Sequence, residues 1–285
     1  MKHPIGRIAE ALERAFPPFG TSPKGNHLAW AFDADRGFRP IERMQLPALA
    51  DLLHLDRQKA LAERNTRQFV NCLPANHMLL WGARGTGKSS LIRALLHQFG
   101  GSGLRLVEVD NRGLDRLPEL VEPLAKRKKR FVIFADDLAF DANDSGYRAL
   151  KALLDGRLGG LPENVLLYAT SNRRHLVPEP RHENDPDPNP ELHPHEASEE
   201  RISLSERFGL WLAFHPLSQD QYLDVVSHHL ARLGTAVPIA ERESLAVEAV
   251  RFATLRGSRS ARVASQFAAD HAGRTLLQGA RMQAR

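Results

Sequence analysis

A chain of 285 residues, 42% apolar and 26% charged, is long enough to bury a sizeable core and too apolar for a disordered polyelectrolyte. Its single cysteine, Cys72, excludes an internal disulfide, and no apolar run approaches the ~20 residues that span a bilayer, so no membrane role is expected. The formal net charge of +5 is modest, but it is unevenly placed.

The stretch Met1-Lys2-His3-Pro4-Ile5-Gly6-Arg7 lacks the apolar core of a signal peptide, and a cytoplasmic location is expected. Residues 1–54 alternate short amphipathic pieces with breaks such as Phe16-Pro17-Pro18-Phe19-Gly20 and Phe38-Arg39-Pro40. They are expected to form an N-terminal extension, mostly helical and irregular. Asp56 to Asn71 has a helical pattern carrying Leu61, Phe69 and Val70, and Pro74 ends it. Cys72, beside that helix end, is expected to pack as a small hydrophobe.

From residue 77 onward the pattern alternates. His77-Met78-Leu79-Leu80-Trp81 is a short apolar strand, and Leu91-Ile92-Arg93-Ala94-Leu95-Leu96 continues as a helix after a glycine-rich loop. Further strands are predicted over 104–109, 131–135, 165–170 and 210–214, with helices over 114–128 and 145–155. Near-continuous apolar strands alternating with helices predict a parallel sheet covered on both faces, an α/β/α arrangement.

Two stretches interrupt this pattern. Lys126-Arg127-Lys128-Lys129-Arg130 is an unbroken basic run. It fits a solvated helix end ahead of a buried strand, and alternatively a patch for nucleic acid. Residues 176–200 hold six prolines, eight acidic residues and the histidines His182, His193 and His195, which predicts an exposed loop. A metal site at His193 and His195 is the alternative, without an evident rigid frame. Beyond Pro216, Ser218-Gln219-Asp220-Gln221 is a capping box opening a helix with Tyr222, Leu223, Val226, Leu230 and Leu233 on its apolar side, and Gly234 stops it. Helices near 240–255 and 259–277 complete a helical C-terminal part rich in arginine.

The chemistry is carried by Gly82-Ala83-Arg84-Gly85-Thr86-Gly87-Lys88-Ser89, which satisfies GxxxxGK(S/T) between a strand and a helix. Backbone N–H groups of such a loop cradle the α- and β-phosphates, the lysine reaches the β- and γ-phosphates, and the serine hydroxyl can ligate Mg²⁺. Phe131-Val132-Ile133-Phe134-Ala135-Asp136-Asp137 ends a buried strand in two carboxylates at the same sheet edge. Asp136 suits Mg²⁺, largely through its waters, and Asp137 suits orienting or deprotonating the attacking water. Capping the following turn is the alternative for both. Asn172, ending Ala169-Thr170-Ser171-Asn172, can bond the γ-phosphate or the water, or form a turn. Arg207, in Leu204-Ser205-Glu206-Arg207-Phe208-Gly209-Leu210, and Arg259 and Arg262 offer forked charges suited to phosphate.

In this order the parts resemble the AAA+ ATPases, and more closely the bacterial DUF815 family of predicted ATPases. The supporting stretches are Leu55-Asp56-Arg57-Gln58-Lys59, Pro74-Ala75-Asn76 through Leu91, Phe134-Ala135-Asp136-Asp137-Leu138, Thr170-Ser171-Asn172-Arg173-Arg174-His175-Leu176 and Leu204 to Trp211, so that the likeness covers about 45–275. It implies a P-loop core over 55–217 with a five-stranded parallel sheet, a small helical lid over 218–285, and ATP with Mg²⁺ between them. It makes the loop from Gly82 through Ser90 the nucleotide ligand, with Lys88 and Ser89 its Walker A ligands, Asp136 the metal acid and Asn172 the sensor. Leu55 lies where the adenine pocket is built, and Arg262 matches the lid arginine better than Arg259. Arg207 resembles a finger offered to a neighbour's nucleotide in a homo-oligomeric ring. Asp137 departs from the glutamate common in this superfamily. The activities that follow are an ATPase driving a partner macromolecule, a nucleic-acid loader or remodeller, and a non-hydrolysing switch recruiting a protein through 176–200.

Overall fold

The computed structural model describes residues 21–110, 112–140, 145–155, 160–172, 204–235 and 239–283. Its first elements lie inside the expected extension. Strands β1 (Ala29–Asp33) and β2 (Gly37–Pro40) form an antiparallel hairpin. Asp33 nucleates the turn, since its Oδ1 accepts from the N–H groups of Asp35 at 3.1 Å and Arg36 at 2.6 Å. Residues 29–40 are therefore neither helical nor irregular. Trp30 and Phe32 are buried in the main core, and β1 pairs in parallel with β4 (Leu104–Val109), so contacts 77 residues away determine this stretch.

The remaining core follows the predicted alternation. Helix α1 (Asp56–Val70) precedes β3 (Met78–Gly82) and α2 (Lys88–Phe99). After β4, a 3₁₀ turn (Gly113–Arg116) leads into α3 (Leu117–Ala125) and then β5 (Arg130–Ala135). Helix α4 (Ser145–Leu154), β6 (Val165–Ser171) and β7 (Leu210–Phe214) complete it. Among the described residues the sheet has seven strands, not five, in the order β2-β1-β4-β5-β6-β3-β7, and of these β2 alone is antiparallel. The two added strands are the N-terminal hairpin.

Alternate residues of each strand feed opposite faces. Leu79 and Ile133 pack with Leu117, Leu120 and Leu150 of α3 and α4. Leu80 and Phe134 pack with Phe69 of α1 and Leu91 and Leu95 of α2. The result is a three-layer α/β/α core in which β3 lies between β6 and β7. The loop leaving β3 therefore meets the C-terminal ends of its neighbours.

A separate apolar cluster joins α5 (Gln219–Arg232), α6 (Arg242–Leu255) and α7 (Ala261–Gln283). The capping box forms as the sequence predicts: Ser218 Oγ accepts from Gln221 N–H at 3.2 Å, and Gln221 Oε1 accepts from Ser218 N–H at 3.0 Å. The buried face of α5 is Tyr222, Val225, Val226 and Leu230, whereas Leu233 is 49% exposed because the helix ends at Arg232.

Two local expectations are corrected. Cys72 is exposed: it takes φ 60° just after α1, with its N–H on Phe69 O at 3.1 Å, and this left-handed turn carries the chain away from the core. The basic run is largely occupied within the chain. Lys126 pairs with Glu122, Arg127 donates to Pro23 O and Arg130 to Glu163 O, which favours the helix-end reading. The 176–200 loop lies outside the described residues, and among those described no helix is long and apolar enough to cross a membrane.

Candidate functional site

The turn after β3 is shaped by what surrounds it. Gly82 has φ 137°, and a Cβ there would sit 1.9 Å from Phe214 O, because β7 closes against this residue. Gly85 has φ 76° and lies under the start of α7, so that a Cβ would come within 2.8 Å of Ser260 Oγ. The backbone N–H of Arg262 donates to Gly85 O at 3.3 Å, tying the C-terminal helices to the loop. Helix α2 opens at Lys88 with no side-chain cap, leaving first-turn N–H groups directed at whatever the loop encloses.

Side chains at the strand ends converge on this loop. Lys88 is buried, and its Nζ donates to Gly82 O at 2.7 Å, Ala83 O at 2.8 Å and Asn172 Oδ1 at 3.2 Å. Burial pushes its pKa down, Asp137 and Asp136 oppose that shift, and Arg262 and Arg84 reinforce it. Ser89 Oγ donates to Asp136 Oδ1 at 2.7 Å. Asp136 ends β5 one step beyond the Ala135–Ala169 pair, so Thr170 of β6 stands beside it and donates to the same oxygen at 2.6 Å. Thr170 Oγ1 in turn accepts from Asp137 N–H at 2.8 Å. Asp137, at φ 55°, takes Asn172 Nδ2 on one carboxylate oxygen and Arg84 Nη2 at 3.4 Å on the other.

These groups line one end of a cleft of about 1090 Å³ between the sheet edge and α5 and α7. Arg84, Lys88, Arg93, Arg232 and Arg262 face it against the carboxylates Asp51, Asp136 and Asp137. Arg232 pairs with Asp51 at 2.9 Å, so the cationic excess lies toward the loop. The rest of the lining is apolar, formed by Leu46, Pro47, Leu52, Leu55, Leu217 and Val225 with His229 beside them, and Leu55 Cδ1 comes within 3.1 Å of where a Cβ on Gly87 would sit. Burial, His228 and Arg232 lower the His229 pKa, and Asp51 opposes them. A strongly cationic end with uncapped amides, joined to an apolar slot, suits a polyanion attached to a flat apolar group.

The structure thus brings together Leu55, the loop from Gly82 to Ser90, Asp136, Asp137, Asn172 and Arg262. Arg262 lines the cleft, whereas Arg259 offers its carbonyl to Leu217 N–H at 3.2 Å. Arg207 is not among the lining residues: it holds the Asp155 carboxylate at the end of α4. Thr170, Arg93 and the wall from 45 to 53 escaped sequence reasoning. For Thr170 the signal was available, since parallel register sets a hydroxyl at the end of one strand beside the carboxylate ending the next. Among the described residues no group of three His, Cys, Asp or Glu could hold a metal, and His193 and His195 lie outside them.

The family described as "Protein of unknown function (DUF815)" matches residues 24–275. No curated protein matches the chain. Among solved structures, the FIGL-1 AAA domain in complex with ADP is similar at a TM-score of 0.51 and 19% identity, over 81% of this chain and 75% of that one. The Thermotoga maritima RuvB Holliday junction branch migration motor is similar at 0.46 and 13% identity, over 78% of this chain and 71% of that one. The Aeropyrum pernix ORC1 protein, solved in complex with DNA, is similar at 0.47 and 15% identity, over 79% and 66%. The FIGL-1 likeness is one of fold, the P-loop AAA+ architecture.

Proposed function

The chain belongs to the DUF815 family of proteins of unknown function, and from that premise we propose that it binds ATP with Mg²⁺ and hydrolyses it to ADP and phosphate, the cycle moving the C-terminal helices and a partner macromolecule. The observation that carries this reading is the meeting of Ser89 Oγ and Asp136 Oδ1 at 2.7 Å beside a buried Lys88 and the uncapped start of α2. The ADP bound to the FIGL-1 domain supports it.

The donor set fits a hard cation. A hydroxyl and one carboxylate are too few to cage a metal, so phosphate oxygens and waters would complete the six-oxygen shell that Mg²⁺ prefers. Held by Ser89 and Asp136, such an ion would supply positive charge to offset that of the phosphates. Lys88 and the α2 amides hold the β- and γ-phosphates, and Leu55, Pro47 and Val225 cover the base. Asn172, bridging Lys88 and Asp137, stands where it can bond both the γ-phosphate and the attacking water. Asp137 takes the proton. Its carboxylate is a methylene shorter than glutamate's, and the left-handed backbone fixed by Thr170 sets its reach. Arg262 contributes a charge from the α7 side. For Arg207 to reach a neighbour's nucleotide in an oligomer, it would first have to exchange the Asp155 carboxylate for phosphate.

Titration calorimetry with Mg·ATP and a phosphate-release assay test the reading. Lys88→Ala is expected to weaken nucleotide binding at least ~10-fold, and Asp137→Asn to retain binding while losing hydrolysis about 100-fold or more. Wild-type protein that binds ATP without hydrolysing it at any concentration leaves only the switch; protein that binds no nucleotide removes both.

A further inference from the structure

Phosphoryl transfer needs a charge on the γ-phosphate as the bond to the leaving group breaks, and a guanidinium supplies it from the same chain or from a neighbour. Arg207 is turned to Asp155. Arg84, by contrast, occupies the variable middle of the phosphate loop, where the loop pattern alone demands no particular side chain. Its side chain is 76% exposed at the cleft mouth, with Nη2 3.4 Å from Asp137 Oδ2. Asp137 holds Asn172, and Asn172 holds Lys88. The four side chains therefore form one connected group, from the exposed guanidinium to the buried ammonium, beside the loop.

We propose that Arg84 is an intramolecular arginine finger: its guanidinium passes from Asp137 to the γ-phosphate, and hydrolysis needs no neighbouring subunit. The inference rests on the ATPase reading. The pair it leaves is exposed on both sides, 76% and 56%, and such pairs are weak, whereas a guanidinium meets phosphate oxygens with two parallel bonds. The exchange does two things at once. It brings positive charge to the oxygens where charge accumulates, and it frees Asp137 Oδ2. Water oxygen then bonds the γ-phosphorus, the bridging P–O bond breaks toward ADP, and the water proton passes to the freed carboxylate and on to phosphate or solvent. Arg84 thus couples arrival of the terminal phosphate to release of the base.

The test uses the full chain, single-turnover phosphate release from Mg·ATP at two protein concentrations about 100-fold apart, and equilibrium binding of a fluorescent ATP analogue. The expected result is a rate constant independent of protein concentration. In Arg84→Ala it falls about 100-fold or more with nucleotide affinity changed only a few-fold, and Arg84→Lys recovers part of the loss. A thermal melt confirms that each variant is folded, and Arg84→Gln provides a second truncation that keeps the stem. A rate that climbs with concentration and vanishes in Arg207→Ala would overturn the proposal by placing the charge in trans. An Arg84→Ala rate at or above wild type overturns it too, making Arg84 a mere restraint on Asp137, as does a collapse of nucleotide affinity equal to that of Lys88→Ala. Wild-type protein inactive at both concentrations with binding intact instead brings down the ATPase reading, and this inference with it.

Discussion

Thr170→Val isolates the group that sets both carboxylates. The threonine is 1% exposed, and valine replaces it with almost the same volume, so no cavity opens and packing drops out of the comparison. What is lost is the hydroxyl. Its donation to Asp136 Oδ1 at 2.6 Å is a bond to a charged acceptor, worth about 1.5–3 kcal/mol. Its acceptance from Asp137 N–H at 2.8 Å leaves an amide unpaired, at about 1 kcal/mol because the neighbouring side chain is exposed and water can approach. The sum is about 3 kcal/mol, read as a drop in urea midpoint at unchanged slope. Phosphate release should fall with it by ~10–100-fold, since Asp136 and Asp137 both lose their reference point, and Thr170→Ser should regain most of each loss. A Thr170→Val protein within about 0.5 kcal/mol of wild type, hydrolysing normally, would refute the claim that this hydroxyl organises the site.

Gly82→Ala should be more severe than any truncation in the cleft, because its Cβ would overlap Phe214 O at 1.9 Å and force β3 and β7 apart; we expect a loss of about 4 kcal/mol or insoluble protein, read by chemical denaturation. His77 gives a pH dependence: its Nδ1 accepts from Leu167 N–H at 3.1 Å, and burial lowers its pKa from 6.5 to about 4. The unfolded chain takes the proton first, so stability is full above pH 6.5 and declines as pH falls toward 4, by roughly 3 kcal/mol in total. His77→Asn, which keeps an acceptor near the same place, should flatten that slope in urea midpoints measured from pH 7 to 4.5.

What the sequence disclosed and what it withheld divide along one physical line. The loop at 82–89 was legible because its turn is written into backbone freedom and one lysine, all within eight residues. Strands β3 to β7 were legible because burial on both faces leaves a continuous apolar run. Asp136 and Asn172 could be singled out because each follows the end of such a strand, whereas Leu55 and Arg262 came only from the family resemblance. The hairpin at 29–40 was hidden: Ala29-Trp30-Ala31-Phe32 is too short to register, and β4 determines its strand state. Thr170 was overlooked since its role lies in its neighbour's register rather than its own pattern. The apolar wall at 45–53 has no period, being set by its position under α5. Arg207 looked like a free charge in sequence because nothing local announces Asp155 fifty-two residues earlier.

The way the C-terminal helices meet the core bears on how hydrolysis could be transmitted. At the phosphate end, α7 begins directly on the loop: Arg262 N–H bonds Gly85 O, and Gly85 leaves room for Ser260 only by lacking a side chain. At the apolar end, α5 is held to the 49–54 segment by Asp51 with Arg232 at 2.9 Å and by His54 with Asp224 at 3.2 Å. Both of these pairs are partly exposed, and ion pairs of that kind contribute little to rigidity. The two attachments therefore differ in stiffness. A displacement of Gly85, which lies in the loop proposed to hold phosphate, reaches α7 through one backbone bond, while the surface pairs on α5 can yield. Rotation of the helical cluster about its apolar-end contacts is the motion this asymmetry favours, with the loop at Gly85 as the driving end.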